Sequence, residues 1–143
     1  MKDETSRPLG WTTMEEGRRL VGHGINPKTA DMYWEKSKWM TSAGGKVETK
    51  WWPFVGKKEG PDIIVECWSL GRLLVMLPTS ILFDGVSYYL SYESHDGDFE
   101  IEYYSSIAHR VIGDWYGNLP VEVCVDTLVW LCENGFIENG GLR

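Results

Sequence analysis

Three histidines and three cysteines are the residues of this chain best suited to nucleophilic or metal chemistry, and their spacing serves neither. A cysteine nucleophile needs a base within hydrogen-bond reach, and the sequence offers only Cys67 with His95 or His109. No turn or helix joins them, and Cys67 abuts a leucine-rich stretch in which a thiol stays buried and inert. His23, near the end of an expected helix, is explained by favourable contact with the helix dipole. The closely paired Cys or His spacings of zinc sites do not occur. The turn Asp96-Gly97-Asp98 with Glu93, Glu100 and Glu102 offers oxygen ligands to a hard cation, but without the regular loop spacing of a calcium site it reads as a solvated acidic hairpin. Gly44-Gly45-Lys46 fails as a phosphate loop, because position 40 is Met rather than Gly and Val47 stands where Ser or Thr is required. A small-molecule pocket would need His109, Asp114, Trp115 and Tyr116 to converge. The expectation is no catalytic residue, no metal ligand and no cofactor: a chain that is not an enzyme.

With 143 residues, 43% hydrophobic and 13% aromatic, the chain has the material of one ordinary domain, expected over 11–138 with tails at 1–10 and 139–143. Its polar start, Met1 to Pro8, lacks the apolar stretch of a secretory signal, and no later run is long enough to span a membrane. A cytoplasmic protein with no membrane partner is expected. An odd number of cysteines, with Cys124 and Cys132 in one predicted helix, argues against a disulfide framework. Charge is divided by position. Residues 1–60 hold 11 Lys+Arg against 8 Asp+Glu, and the remainder holds 3 against 13, within an overall net charge of −7. Such a balance repels phosphate backbones and anionic membranes at long range, so nucleic acid is an unlikely partner unless a local basic face reverses the field.

Capping-box spacing at Thr12/Glu15 and Thr13/Glu16 predicts a short helix from Met14 to His23, ended by Gly24. Asn26-Pro27 starts a second, brief one through Ala30 to Met32. Glycines and prolines punctuate 33–60, which is expected to be irregular, with Lys46 to Trp52 as an edge strand. Ser69 caps a helix whose Leu70, Leu73, Leu74 and Leu77 form an apolar stripe that Pro78 stops. Asp84-Gly85 and Asp96-Gly97 divide an antiparallel meander of Ile81–Phe83, Val86–Tyr92 and Phe99–Tyr104. Alternation sets Phe99, Ile101 and Tyr103 on one face and Asp98, Glu100 and Glu102 on the other. Ile107 to Ile112 adds a fourth strand before a loop at Gly113 to Gly117. The last helix is capped by Asn118, carries Pro120 in its first turn and ends at Asn134-Gly135, with Phe136 folding back. Val123 and Trp130 fall off its main apolar face, on the side expected to point away from the core.

The segment Tyr33 to Lys58 interleaves six lysines with Tyr33, Trp34, Trp39, Trp51, Trp52 and Phe54. Rings that stack on bases and lysines that follow phosphates make single-stranded nucleic acid an alternative partner, through Lys36, Lys38, Lys46, Lys50 and Trp51. Met14 to Trp34 also has the length of a helix-turn-helix, although Asp31 and Glu35 would face the phosphates.

Three blocks, Asn26 to Trp34, Cys67 to Leu70 with Leu73, Leu74, Leu77 and Pro78, and Trp130 to Ile137, resemble a family of small proteins from gut anaerobic bacteria and their prophages and integrative elements. That family has no assigned activity, so the resemblance implies a context, an accessory protein acting by binding, and gives no residue a role. The fold expected is α+β, a three- or four-stranded antiparallel sheet packed against two main helices, with short helices at the N-terminus. The function expected is protein binding or self-association, homodimers included. It would act through surplus apolar side chains: Val123 and Trp130 on one helix, Val75 and Met76 on the other, and Trp51 and Trp52.

Overall fold

The structure is a computed structural model that describes residues 10–40, 45, 47–58, 60 and 63–141. Residues 1–9, 142 and 143 of the expected tails, and Lys46, lie outside the described residues, as does the side chain of Lys38. The α+β expectation holds, with a second sheet that the sequence reading did not foresee.

That second sheet is built from the segment expected to be irregular. Strand β1 (Met32–Met40) pairs antiparallel with β2 (Val47–Val55) on one side and β3 (Ile64–Cys67) on the other, giving the order β2-β1-β3. Aromatic rings and long lysine stems fit a pleated, half-buried surface, so these residues form strands although both faces mix polar and apolar types. The edge strand Lys46 to Trp52 was expected, but its partner β1 was not. Pro53, which cannot donate to a ladder, lies on β2 at the sheet's edge. One face is buried: Met32, Trp34, Val65 and Cys67 form a small core with Trp11, Met14 and Trp51.

Helix α1 (Met14–Gly22) closes that face. Of the two possible capping boxes only Thr13/Glu16 forms, with the Glu16 amide donating to Thr13 Oγ1 at 3.0 Å and the Thr13 amide to Glu16 Oε1 at 2.8 Å. Gly17 faces β3 so closely that a Cβ there would lie 2.3 Å from the Glu66 carbonyl oxygen. Thr12 is instead buried and bonded all round. Its amide donates to the Trp68 carbonyl, its hydroxyl accepts from the Trp68 amide, and its carbonyl accepts from Trp34 Nε1 at 3.0 Å.

Residues 27–29 make one 3-10 turn that runs directly into β1, so no helix-turn-helix exists here. Asn26 Oδ1 caps the turn by accepting from the Lys28 amide. Trp68 Nε1 donates to Thr29 Oγ1 at 2.9 Å, and Arg72 Nε donates to the Thr29 carbonyl at 2.7 Å. Asp31 accepts from both the Ser69 amide and the Ser69 hydroxyl. Ser69 in turn caps α2 (Leu70–Met76) by accepting from the Arg72 amide. The C-terminal end is not a free tail from 139: the Gly140 carbonyl accepts from the Asn26 amide at 2.9 Å.

Strands β4 (Ser80–Phe83), β5 (Val86–His95), β6 (Asp98–Ser105) and β7 (Arg110–Gly117) form a meander in chain order. Asp84 and Gly85, then Asp96 and Gly97, all take positive φ, as two-residue hairpin turns require. The expected loop at Gly113–Gly117 is part of β7, because Gly113 is covered by the Trp115 ring, which packs on it as a side chain would. A register shift at Tyr103/Tyr104 sits beside it.

Helix α3 (Pro120–Glu133) lies between the inner face of this sheet and helices α1 and α2. Eight of its 14 residues are buried, and a helix apolar nearly all round has to be enclosed on several sides. Its N-cap is Leu119 with no side-chain bond, not Asn118; Pro120 in the first turn lacks an N–H in need of a cap. At the other end the Phe136 amide donates to the Leu131 carbonyl and the Gly135 amide to Cys132, the paired bonds of a Schellman stop.

Candidate functional site

The residues singled out for chemistry are kept apart. Cys67 is buried in β3, its thiol donates to the Thr12 carbonyl at 3.4 Å, and burial pushes its pKa up to about 12. Burial does the same to Cys124, and Cys132 is raised by burial and by Glu133 beside it. Thiols so protonated are poor nucleophiles. His23 Nδ1 lies 2.9 Å from the Arg19 carbonyl, the contact expected of a helix C-terminus. His109 occupies a positive-φ turn position before β7, Trp115 turns inward, and Asp114 and Tyr116 turn outward, so these four residues share no pocket.

Only part of the expected apolar set is exposed, and the exposed apolar side chains also include Val55, Ile63 and Ile107. Val123 is only 4% exposed and Met76 5%, so both belong to the chain's own core. Trp130 is half-buried between Trp115, at 5.1 Å between ring centroids, and Phe136, stacked at 5.6 Å. What covers that side of α3 is the second half of β7, the 113–117 stretch expected to be a loop. Trp51 is half-buried against the small core. Val75, 66% exposed, and Trp52, 43%, are the two of the six that remain open. The nucleic-acid set also divides. Lys36 and Trp51 are cross-strand partners on the face that carries Trp34, while Lys50 points to the opposite one.

Among the described residues, each sheet has one face on which no helix packs. On the four-stranded sheet the inner face carries Ile81, Tyr88, Phe99, Ile101 and Tyr103, all buried. Register places Tyr89, Tyr104 and Val111 in one row of the outer face, Ser91, Glu102 and Asp114 in the next, and Glu93, Glu100 and Tyr116 in a third. Carboxylate oxygens of Glu100, Glu102 and Asp114 lie within 4.8 Å of one another, and so do ligand atoms of Glu93, His95 and Glu100. A hydrogen bond with Asp114, then burial and the charges of Asp114 and Glu102, raise the Glu100 pKa, with His95 pulling the other way. Arg110, the only Lys or Arg on these four strands, donates to the buried Tyr88 hydroxyl at 2.8 Å instead of meeting the carboxylates. The same three carboxylates are the groups that would hold a hard cation.

Protein-family models, curated proteins and solved structures were all compared with the chain, and none matches.

The three-stranded sheet presents the opposite character. Tyr33 and Phe54 stack across β1 and β2 at 5.5 Å between centroids, with Trp52 and Lys50 on the same face. Lys58 pairs with Glu35, and Lys57 Nζ donates to the Lys28 carbonyl at 2.6 Å. Beside them opens a cleft of about 270 Å3, lined by Lys28, Tyr33, Lys57, Ile64 and Glu66 among others. It has room for a side chain and falls below the range of about 300–1,000 Å3 usual for small-molecule sites.

The three sequence blocks of the family resemblance are architectural in this fold. Asn26, Thr29, Asp31 and Trp34 bond to Thr12, Trp68, Ser69 and each other, and Trp130 to Phe136 make the end of α3. The outer-face residues went unnoticed as a site. The alternation of Glu100 and Glu102 was legible, but without β7 beside them Asp114 and Tyr116 could not be added to the same surface.

Proposed function

We propose that this chain is a protein-binding module that docks a lysine- or arginine-bearing partner on the outer face of its four-stranded sheet. The observation that carries this reading is the crowding of Glu100, Glu102 and Asp114 within 4.8 Å, on strands whose only Lys or Arg, the exposed Arg110, bonds to the Tyr88 hydroxyl. Like charges so placed cost stability, and a ligand cation removes the cost on binding. Tyr89, Tyr104 and Tyr116 supply rigid aromatic contact area beside the charges, the side-chain type enriched at interface centres. Nucleic acid is disfavoured at this face by its charge.

A short peptide alternating arginine with leucine tests the reading. Titrated into isotope-labelled protein, it is expected to shift amide resonances along β5, β6 and β7, with affinity that falls as salt rises. A Glu102→Gln, Asp114→Asn double variant is expected to lose most of the effect while its thermal unfolding midpoint stays at or above that of the wild type, because the like charges are relieved. Shifts scattered over the surface, or unchanged in that variant, would overturn the assignment.

A further inference from the structure

We infer that the partner of the acidic face is a second copy of this chain, seated through the lysine-bearing aromatic face of its three-stranded sheet; this rests on the docking reading just given. The two surfaces are complementary in both charge and shape. One offers Glu93, Glu100, Glu102 and Asp114 with a protruding Tyr116, 74% exposed. The other offers Lys28 and Lys57, with Lys58 paired to Glu35, around a cleft lined by Tyr33 and Ile64 and by a single carboxylate, Glu66. A tyrosine flanked by carboxylates matches a side-chain-sized hollow rimmed by ammonium groups, because the ring is desolvated against apolar surface while the charges meet at the margin.

The same division is visible along the whole chain, with 11 Lys+Arg against 8 Asp+Glu in residues 1–60 and 3 against 13 in the rest. The opposite charges at these two faces favour a head-to-tail contact although each copy is net negative. Four strands spaced at about 4.8 Å and roughly 20–26 Å long present about 400–500 Å2 in plan. The three-stranded face, whose β3 has four residues, is smaller, so the two faces together bury less than about 1,000 Å2, at the weak, transient end of interface sizes. The faces differ from one another, so the contact is heterologous. It leaves an open acidic face at one end and an open basic face at the other, and chains lengthen with concentration unless the rotation closes a ring.

Sedimentation velocity on the full chain over a wide range of protein and salt concentrations tests this. The expected result is a mean mass that rises with protein concentration and returns to the monomer in high salt. Two charge-reversed variants, Glu102→Lys with Asp114→Lys and Lys28→Glu with Lys57→Glu, are each expected to stay monomeric. Their equimolar mixture is expected to associate again, since the native pair of faces is joined by the charge-swapped pair, whose signs are also opposite. Should the lysine replacements fail to fold by circular dichroism, Glu102→Gln with Asp114→Asn serves in their place, with loss of self-association as the readout.

Wild-type protein that stays monomeric throughout, yet still binds the arginine–leucine peptide on β5–β7, would sink the second-copy assignment and leave the docking reading standing. Failure of both would remove both. Self-association that survives both variant pairs would place the contact elsewhere. Monomeric protein whose Lys28 and Lys57 face binds oligothymidylate would give that face to nucleic acid and also overturn the inference.

Discussion

The two sheets are held in place by different physics, and their bare faces differ accordingly. The four-stranded sheet is fixed by apolar burial, with Ile81, Phe99, Ile101 and Tyr103 beneath an α3 whose own residues are mostly enclosed. The three-stranded sheet has a much smaller apolar core, and it is tied to the rest by bonds from Thr12, Thr29 and Asp31 to Trp34, Trp68 and Ser69. A sheet secured by burial can tolerate crowded like charges on its far side. The one secured by directional bonds carries, among the described residues, no comparable crowding of like charges on its far side, where Lys58 pairs with Glu35. On the docking proposal, the charge cluster sits on the sheet that has stability to spare.

Trp68 is where this contrast is most easily broken. It is fully buried in the large core while its Nε1 and amide bond to Thr29 and Thr12, on the path between the sheets. Replacing it in Trp68→Ala removes both kinds of support and is expected to cost about 3–5 kcal/mol in urea unfolding. If the two sheets are one cooperative unit, amide exchange in β1 and β6 accelerates together. Exchange that accelerates in β1 alone would mean that the bonded sheet unfolds separately.

A smaller effect sharpens the same comparison through two glycines. A Cβ at Gly17 would meet the Glu66 carbonyl oxygen at 2.3 Å, a backbone atom of β3 that cannot move without disturbing its pairing with β1. A Cβ at Gly113 would meet the Trp115 ring at 2.2 Å, which can swing at the expense of its contact with Trp130. Both changes overpack, at about 1–3 kcal/mol each, and Gly17→Ala is expected to be the more costly. Indole fluorescence separates them, since only Gly113→Ala moves the Trp115–Trp130 pair. Equal losses of stability with unchanged fluorescence in both would refute the distinction.

How far these arrangements could be read beforehand follows from which signal each element carries. The meander turns, α2 and the apolar body of α3 were legible because Asp-Gly pairs, Ser69 and leucine spacing are local signals. Strand β1 was hidden because polar and apolar residues are mixed on both its faces, and its partner β3 comes after 23 intervening residues. Strand β7 was cut short by Gly113, whose covering ring belongs to Trp115, a contact with no local signature. Losing β7 had two consequences. It left Val123 and Trp130 apparently exposed, and it separated Asp114 and Tyr116 from the face that they share with Glu100.

The smallest effect is the one that bears most directly on the acidic face. Glu100 takes up its proton more readily in the folded chain than an isolated glutamate does, because neutralisation relieves its hydrogen-bonded contact with Asp114. Linkage then fixes the sign: a carboxyl whose pKa is raised by folding favours the folded state below the ordinary carboxylate range, and that contribution is lost as pH rises through the raised value. Glu100→Gln keeps the shape, removes the charge and can still donate to Asp114. It is expected to raise the thermal unfolding midpoint at pH 7 and to have little effect well below the carboxylate range, whereas a balanced surface carboxylate would show no such pH dependence. The Arg–Leu peptide, bound at pH 7, is expected to shrink the difference between wild type and variant by supplying the missing cation. A variant no more stable than wild type at pH 7 would mean that the carboxylates are already relieved by solvent, and the physical reason for a cationic partner would go with it.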